Sequence, residues 1–433
     1  MLIEFQVGNF LSFKDVVTFS MVASDIDSQD EELDNNNIFS VNEELKLLKT
    51  NAVYGANGSG KSNLAKAIGF MKYLVINSAK MQITDPILVE PFKLNTETEN
   101  KPSFFQIVFY FYDRIYRYGF EVSSKAVVKE WLYHSIGEKE YRLFERQNQK
   151  FIFISKKSFK EGEKLKEQTK VNSLFLSVCS QFNGKISRFI VIWFSNLLVI
   201  SGLGIYDRLH RQNALEILDD PLFRDSSLKL IQNFDFSIEQ FIINKDKIDS
   251  DILPSDLPEE FKSLLLKSTK KSELITFHKK YNTNNEVVGM VDFNLEENES
   301  EGTKKMFYFI PIFLKALLYG QILVIDELDT RLHPWITHKL VQLFNSNEHN
   351  HQNSQLIFMT HDTNLLNRKL FGGQLLRRDQ IWFTEKNNQG ATDLYSLAEY
   401  DISEDAPFES DYIKGRYGAI PFIGNFQRLL KNK

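Results

Sequence analysis

The chain has 433 residues, of which 42% are hydrophobic and 25% charged, and its 52 basic and 57 acidic residues give a formal net charge of -5. These proportions are those of an ordinary globular protein and exclude a disordered, collagen-like or disulfide-stapled chain. The slightly acidic balance provides no global positive field for binding nucleic acid, although local basic patches are compatible with it.

The first residues predict antiparallel strands. Apolar and polar residues alternate over 3–7, a turn follows at Gly8, and apolar residues resume over 16–21. This pattern is typical of a β-hairpin. Residues 24–37 are acidic and polar without an apolar period, which predicts a mobile surface loop.

The next segment combines a strand, a glycine-rich turn and a helix. The apolar residues 52–54 lead directly into the glycine-rich residues 55–62, and a helix is predicted from about 62 to 79. β-Branched and aromatic residues then predict strands of an antiparallel sheet. These strands cover 104–120, 127–133 and 151–154.

An inserted lobe of mainly helical character is predicted in the middle of the chain. The charged stretch 156–170 predicts a solvated helix or connector, and a contact with a phosphate backbone is the alternative. Helical periodicity dominates 203–271, and a hairpin pattern covers 274–295.

Helices and strands alternate in the last third of the chain, which predicts a parallel sheet covered by helices. The predicted helices are 304–319 and 334–344, and the predicted strands are 322–325, 355–359 and 380–383.

Cysteine usage and the apolar segments indicate where the protein is located. Cys179 is the single cysteine, so no intramolecular disulfide can form and we expect a reducing, cytoplasmic environment. The first residues lack the basic stretch of a signal peptide. The apolar segment 189–205 is at the short limit for a membrane span, and a buried helix followed by a strand over 197–201 explains it better. We therefore expect no membrane partner.

Residues 55–62 satisfy the G-x-x-x-x-G-K-[ST] pattern of a phosphate loop. Backbone N–H groups turned inward by the glycines, together with the N-terminus of the next helix, can bind phosphate. Lys61 would reach the β- and γ-phosphates of ATP, and the Ser62 hydroxyl would ligate Mg²⁺. The predicted nucleotide-binding residues here are Gly55, Ala56, Asn57, Gly58, Ser59, Gly60, Lys61, Ser62 and Asn63.

The apolar residues 322–325 end in two adjacent carboxylates, Asp326 and Glu327. A buried strand would carry Asp326 to the carboxyl edge of the sheet, where it can hold the magnesium shell. Glu327 would then lie on the opposite side and could polarise an attacking water. Together with the phosphate loop, this pair predicts an ATP-hydrolysing site.

Two further side chains are candidates for the same site. His361 follows the apolar strand 355–359 to the sheet edge of Asp326, where it can contact the γ-phosphate, and a purely structural histidine is the alternative. Gln181 follows an apolar run and could reach magnesium or the attacking water. An ordinary surface glutamine is an equal alternative.

The sequence Ser-Glu-Gly-Thr at 300–303 resembles a diverged form of the ABC ATPase signature, which usually reads S-G-G-Q. The resemblance implies that Ser300 and Gly302 donate to a γ-phosphate bound by a partner subunit, with the helix dipole behind them. A plain helix N-cap at Ser300 is compatible with this role. Asp329 begins a segment that resembles the D-loop, and His361 lies in one that resembles the switch-histidine segment.

Together, the motifs resemble the branch of ABC ATPases that contains the RecF, SMC and OLD-like proteins, and the RloA/AbiL-type bacterial ATPases most of all. The resemblance is carried by residues 9–14, 55–62, 300–305, 326–334, 360–362 and 414–421. It implies an α/β P-loop NTPase fold with a mixed central sheet, an N-terminal antiparallel β-subdomain and an inserted helical lobe. The expected parts are 1–155 and 299–433 for the two halves of the ATPase head and 156–298 for the insertion.

The resemblance implies a Mg²⁺-dependent ATPase that forms a head-to-tail homodimer or higher homo-oligomer and gates a separate toxin or nuclease subunit in anti-phage defence. About seventy residues follow His361, few for the added nuclease domain of OLD enzymes, so the effector is expected on another polypeptide. No long heptad coiled coil of SMC type interrupts the halves. The alternatives are a RecF- or SMC-like ATPase that binds DNA in repair or chromosome maintenance, and a nuclease in its own right.

Overall fold

A computed structural model describes residues 1–26, 28–137, 139–201, 206–234, 237–246, 271–403 and 406–421. The chain divides into two compact units. The first, here called the head unit, comprises Met1–Gly202, Tyr319–Asp329 and Thr337–Lys433. The second, here called the inserted unit, comprises Leu203–Leu318 and Thr330–Ile336.

The described part of the head unit is built from β-sheets and surrounding helices. Its strands are β1 (Leu2–Gly8), β2 (Val17–Ser20), β3 (Ile38–Ser40), β4 (Lys46–Leu48), β5 (Thr50–Gly55), β6 (Ser103–Phe111), β7 (Arg114–Val122), β8 (Val127–Ile136), β9 (Lys139–Gln147), β10 (Lys150–Ile154), β11 (Leu197–Ser201), β15 (Ile322–Asp326), β16 (Gln355–Met359), β17 (Ile381–Lys386) and β18 (Thr392–Ser396). Its helices are α1 (Glu31–Asn37), α2 (Lys61–Asn77), α3 (Phe175–Gln181), α4 (Lys185–Ser195), α9 (Pro334–Asn345), which begins in the inserted unit, and α10 (Phe408–Ile413).

The larger sheet is antiparallel throughout, with the strand order β10-β9-β8-β7-β6-β1-β2. The predicted hairpin at the start of the chain is confirmed, because Val7 of β1 pairs with Val17 of β2. Side chains along β1 and β6 alternate between buried and partly exposed positions, as expected for strands with one face on a core. The strand β9 lies in a stretch for which no strand was predicted.

The second sheet is mixed, with the order β11-β15-β16-β5-β17-β18. All its neighbouring strands are parallel except β17 and β18, which form an antiparallel pair at one edge. Every residue of β5, β15 and β16 is buried, which is typical of parallel strands covered on both faces. The predicted fold class, an α/β P-loop fold with a mixed central sheet, is confirmed.

The main core of the head unit joins residues of both sheets to residues of α2, α3 and α4. Buried residues of α2 recur every three or four positions, which forms an apolar stripe along the helix. Phe175 of α3 and Trp193 of α4 are buried in this core. The insertion therefore begins at Leu203 rather than at residue 156, because α3 and α4 pack with the head.

Residues 24–37 do not form the predicted loop throughout, because α1 covers Glu31–Asn37. Asp30 caps this helix by accepting a hydrogen bond from the Leu33 N–H. Asn37 is buried and donates to the Leu375 carbonyl (2.9 Å) and to Gln380 Oε1 (2.6 Å). These partners lie more than 300 residues away, so the local pattern did not indicate the helix.

The described part of the inserted unit combines helices with a sheet. Its elements are α5 (Tyr206–Leu218), α6 (Pro221–Phe234), β12 (Ile238–Asp246), β13 (Lys271–Tyr281), β14 (Val287–Asn294), α7 (Leu295–Asn298) and α8 (Glu301–Tyr319), whose last residue belongs to the head unit. The sheet is antiparallel in the order β12-β13-β14. Its core includes Phe241 of β12 and Phe307 of α8.

For the inserted unit, the predicted hairpin is confirmed and the helical prediction is wrong in part. The hairpin at 274–295 is confirmed by the pairing of β13 with β14. The helical prediction for 203–271 is wrong over Ile238–Asp246, which form β12 because Phe241 packs in the core and the strand pairs with β13. Residues 247–270 of that prediction lie outside the described residues.

The apolar segment 189–205 has the predicted structure where it is described, with α4 ending at Ser195 and β11 following at Leu197. Across the described ranges, every helix falls short of the length and apolar character that crossing a bilayer demands.

Candidate functional site

The predicted site residues follow three adjacent parallel strands. β15, β16 and β5 lie side by side, and they end at Asp326, Met359 and Gly55. Carboxyl ends of parallel strands meet at one edge of a sheet, where ligands bind in open α/β folds. The fold therefore brings together the phosphate loop, the carboxylate pair and His361 of the head unit.

The phosphate loop connects β5 to α2. Gly60 is the N-cap of α2, and Lys61 is its first residue. Within the described parts of the chain, the N–H groups of Asn57, Gly58 and Gly60 have no hydrogen-bond partner. The Cβ position of Gly58 faces open space. Free N–H groups before a helix N-terminus are suited to bind phosphate oxygens.

Two glycines of this loop adopt backbone conformations that other residues rarely adopt. Gly60 has a φ of +119°, and a Cβ there would lie 2.4 Å from the Thr392 hydroxyl. Gly55 has a φ of +154°, and a Cβ there would lie 2.5 Å from the Thr384 carbonyl. The course of the loop between the strand and the helix depends on both residues.

We expect Gly60→Ala to lower the melting temperature and to weaken ATP binding, because positive φ and the Thr392 contact cost about 1–3 kcal/mol. Gly69→Ala is the matched control on α2, since a Cβ there meets Val199 at an ordinary 3.6 Å. That control should stabilise the helix by about 0.5–1 kcal/mol. Thermal unfolding with and without ATP measures both effects, and equal melting temperatures for the two variants would contradict the assignment.

Lys61 is buried at the start of α2. Its Nζ donates to the carbonyls of Gly55 (2.6 Å) and Ala56 (3.1 Å). Burial lowers the pKa of Lys61 to about 8, and the nearby carboxylates of Asp326, Asp329 and Glu327 oppose the shift. Among the residues that the structure describes, both hydrogen-bond acceptors of this buried ammonium are neutral carbonyls, so it has capacity for a phosphate anion.

Asp326 is buried at the end of β15. Burial raises the pKa of its carboxyl, as does the neighbouring Glu327, whereas a hydrogen bond from Ser62 lowers it. Its Oδ1 is buried without a hydrogen-bond partner among the described residues. A hydroxyl and an unpaired carboxylate oxygen are the oxygen donors that Mg²⁺ prefers. The residues present therefore fit a magnesium ion.

The described residues contain no cluster of three or more His, Cys, Asp or Glu side chains arranged to hold a metal. Magnesium typically binds through one or two protein oxygens together with substrate phosphates rather than in an all-protein cage. The pair of Ser62 and Asp326 matches that mode of binding.

Glu327 follows Asp326 with a φ of +56°, a left-handed conformation that is uncommon for a residue other than glycine. The Leu328 N–H then donates to the Met359 carbonyl at 3.1 Å. Glu327 is half-buried, and its charge acts on both Lys61 and His361. The unusual backbone at this position is of the kind that clusters at functional sites.

Asp329 holds the segment that carries His361. Its Oδ1 accepts hydrogen bonds from the Thr360 hydroxyl (2.6 Å) and from the His361 N–H (3.3 Å). The His361 side chain is exposed. Desolvation and the positive charge of Lys61 lower its pKa, while the carboxylates of Asp329, Glu327 and Asp326 oppose this. The ring is therefore mainly neutral at pH 7 and can donate one N–H to a phosphate.

Ser300 and Gly302 lie at the start of α8 in the inserted unit. The Ser300 side chain is exposed, and its Oγ accepts from the Thr303 N–H at 3.1 Å, which is the helix-capping contact expected as the simpler role. Glu301 forms an ion pair with Arg331, which also belongs to this unit. The signature-like residues and the end of the D-loop-like segment are thus joined within the inserted unit.

The structure does not support Gln181 as a metal ligand. Gln181 is the exposed last residue of α3. Ser177, one turn earlier, accepts a hydrogen bond from the Ala79 N–H just beyond the C-terminus of α2. The phosphate loop is at the other end of that helix, roughly 25 Å away for its 17 residues. Gln181 therefore lies away from Ser62 and Asp326.

Several residues that contact the phosphate loop were not predicted from the sequence. The Thr392 hydroxyl donates to the Ser59 carbonyl at 2.7 Å, and the Ser59 hydroxyl lies 2.7 Å from that of Thr384. Ser12 accepts from the side chain of Asn63 at 2.7 Å. The sequence signal for Thr384 was its position directly after the predicted strand 380–383. In the structure it lies within β17, where it pairs with Gly55 of β5.

The neighbour of Asp326 in the sheet was also missed. The register of β11 against β15 places Ser201 beside Asp326. The prediction of a core strand over 197–201 located β11 but did not indicate that it borders the carboxylate pair.

The chain is similar to a solved structure and to a protein family. A solved structure described as the SMC head domain from Thermotoga maritima has 12% sequence identity over 91% of this chain and 98% of that chain, with a TM-score of 0.39. No curated protein matches the sequence. One protein family, described as "AAA domain, putative AbiEii toxin, Type IV TA system" (AAA_21), matches residues 50–367, from β5 to the segment after His361. Since the match spans well over half of the sequence, the chain belongs to this family of P-loop ATPase domains.

Proposed function

We propose that the chain binds Mg²⁺-ATP at the sheet edge described above and hydrolyses it. The observation that carries this proposal is the grouping of a buried ammonium, a buried carboxylate with one unpaired oxygen, and unpaired loop N–H groups around one strand-to-helix turn. Among the described residues, the ammonium has no phosphate-like anion beside it, and the carboxylate oxygen and the loop N–H groups have no hydrogen-bond partner. A triphosphate would supply the anion and the acceptors, and its metal ion would bind the carboxylate oxygen.

In this proposal the phosphates bind to the N–H groups of residues 55–62 and to the ammonium of Lys61. Glu327 orients a water molecule and accepts its proton as the water attacks the γ-phosphorus. The bond between the γ-phosphorus and the β,γ-bridging oxygen breaks, and ADP leaves with that oxygen while the water oxygen stays on the released phosphate. His361, neutral at pH 7, donates a hydrogen bond to a γ-phosphate oxygen. Asp329 keeps His361 in place through the Thr360 hydroxyl and the His361 N–H.

Ser62 and Asp326 are the residues that would hold the magnesium ion. When bound, the metal neutralises charge on the β- and γ-phosphates. The hydrogen bond between Ser62 and Asp326 holds the hydroxyl and the carboxylate next to each other. This arrangement pre-orders the donors before the nucleotide arrives.

We further propose that two copies associate head to tail, with Ser300 and Gly302 of one copy on the γ-phosphate held by the other. The exposure of Ser300 and Glu301 at a helix N-terminus supports this, since an accessible helix start can bind an anion of a partner. We also propose that the chain controls a separate effector protein. The description of the family names a putative toxin and a Type IV TA system, which supports a place for this chain among the components of a toxin–antitoxin system.

The test is to measure phosphate release and molecular mass with the purified chain. We expect hydrolysis in Mg²⁺ and none in excess EDTA, and we expect ATP to double the mass measured by light scattering. ATP hydrolysis without any change of mass would contradict the head-to-tail dimer. An affinity for duplex DNA that rises with ATP and falls with salt would instead favour a DNA-maintenance role.

A further inference from the structure

The C-terminal segment, defined as residues 408–419, forms a compact structure around tyrosine side chains. It consists of α10 and the turn that follows it. The Tyr417 carbonyl accepts hydrogen bonds from the hydroxyls of Tyr395 (2.8 Å) and Tyr400 (3.2 Å). The segment is therefore attached to β18 and to the turn after it, in the same unit as the phosphate loop.

Tyr412 of this segment packs against the strands that lead into the phosphate loop. Its ring meets Tyr54 edge-on, with centroids 5.7 Å apart, and stacks on Phe383 at 5.3 Å. Its hydroxyl forms a hydrogen bond with the backbone of Gly55. Tyr54 and Phe383 are neighbours in the register of β5 and β17. The ring therefore supports the residues immediately before the loop turns.

Glu409 of the same helix contacts the segment that follows His361. Its carboxylate accepts hydrogen bonds from the Asn367 amide (2.5 Å) and from the Thr363 hydroxyl (3.5 Å). The Arg368 guanidinium lies over the ring of Phe408, 5.4 Å from its centroid. The segment 361–368, which begins with the exposed His361, is thus attached to the start of α10.

A further hydrogen bond joins the end of β5 directly to the segment that follows β16. The Tyr54 hydroxyl donates to the Asp362 carbonyl at 3.2 Å, next to His361 in sequence. Tyr412 covers the ring of Tyr54 and keeps it buried. One short helix therefore touches both the end of β5 and the loop after β16.

We propose that the C-terminal segment is a positioning element of the ATP site, in which Tyr412 and Glu409 hold the phosphate loop and the His361 segment in fixed relation. This inference rests on the proposed function, because the placement of His361 matters for turnover only if His361 contacts the γ-phosphate. Loops without such attachments open locally at low free energy, and small misplacements of catalytic groups slow the chemical step.

The first test is hydrogen exchange of the nucleotide-free protein. We expect amides of residues 361–367 to exchange on the order of tenfold faster in Glu409→Ala and in Asn367→Ala, which remove the two sides of one charge-assisted contact. Ile413→Ala is the control on the same helix, because this side chain is 59% exposed, and it should leave exchange unchanged. Two variants keep the test usable if one of them fails to fold.

The second test separates positioning from a general loss of structure. In Glu409→Ala we expect kcat to fall several-fold, with the Kd for a fluorescent ATP analogue staying within about twofold of that of the wild-type protein. Glu409→Gln should restore most of the turnover, because its amide oxygen still accepts from Asn367. A merely structural role predicts faster exchange across the whole head unit and no rescue.

The outcomes discriminate between the two proposals. Unchanged exchange at 361–367 in both Glu409→Ala and Asn367→Ala overturns the positioning role, and so does faster exchange with unchanged kcat. A wild-type chain that hydrolyses no ATP overturns the proposed function. The exchange measurement, which needs no nucleotide, still shows in that case whether Glu409 holds the segment.

Discussion

Glu327→Gln is expected to leave ATP binding intact and to slow hydrolysis by at least about a hundredfold, the usual contribution of a general base. Glutamine keeps the shape of the side chain and the φ of +56° at this position but cannot accept a proton from water. ATP should therefore remain bound, and the ATP-induced dimer should persist instead of decaying. Single-turnover hydrolysis and light scattering on the same samples measure both effects.

Glu348→Gln is the control for that substitution, since Glu348 is exposed beyond the end of α9. It should hydrolyse ATP at the wild-type rate. If Glu327→Gln retains undiminished turnover, the attacking water is activated by another group, and Glu327 has no catalytic role.

Lys61→Met should weaken ATP binding about ten- to hundredfold, because charge-assisted hydrogen bonds to an anion contribute roughly 1.5–3 kcal/mol. The variant should also lose a pH dependence of the wild-type protein. Burial lowers the pKa of Lys61 to about 8 in the nucleotide-free protein, so the ammonium loses its proton as the pH rises above that value. Wild-type affinity should then fall by up to about tenfold per pH unit.

Equilibrium binding of a fluorescent ATP analogue between pH 7 and pH 9.5 measures both parts of this prediction. Lys80→Met is the control, because Lys80 is exposed just beyond the other end of α2. It should bind like the wild-type protein at every pH. A Lys61→Met affinity that still declines above pH 8 would show that a different group titrates in the binding step.

The parts of the site that could be predicted are those that local sequence specifies. The glycines and Lys61 are fixed by one strand, one turn and one helix, and this context is contiguous in sequence. Asp326 and His361 each follow a fully buried strand, so the parallel sheet brings them to the edge where the loop lies. Periodicity and motif spacing are enough for such elements.

The residues that could not be predicted depend on contacts between distant segments. The position of Gln181 away from the phosphate loop is an example, because the position of α3 is set by Glu130, whose carboxylate accepts the N–H groups of Phe175 (2.7 Å) and Leu176 (3.0 Å). Glu130 is in turn paired with the buried Arg146 of β9, a strand that was not predicted. Pairings of this kind leave no periodic signal in either segment.

The hydroxyl groups around the phosphate loop could not be predicted either, because they too are positioned by contacts between distant segments. Thr392 reaches the Ser59 carbonyl only because β18 pairs with β17, which pairs with β5. The helical prediction was wrong over 238–246 for a related reason. These residues form β12, which is stabilised by pairing with β13, and β13 begins 25 residues later in the sequence.

The order of the strands has a mechanical consequence. The chain leaves the head unit after residue 202, directly beyond β11, and returns at residue 319 to form β15, the strand that lies next to β11. It leaves again after Asp329 and returns at Thr337. A load pulling on the inserted unit would thus reach the head unit through four peptide connections. One of them comes directly after Asp329, and another comes just beyond β11, which pairs with the strand of Asp326. Tension on these connections would act directly on the strands that carry the proposed nucleotide site, because β11 and β15 belong to the mixed sheet and not to the antiparallel one.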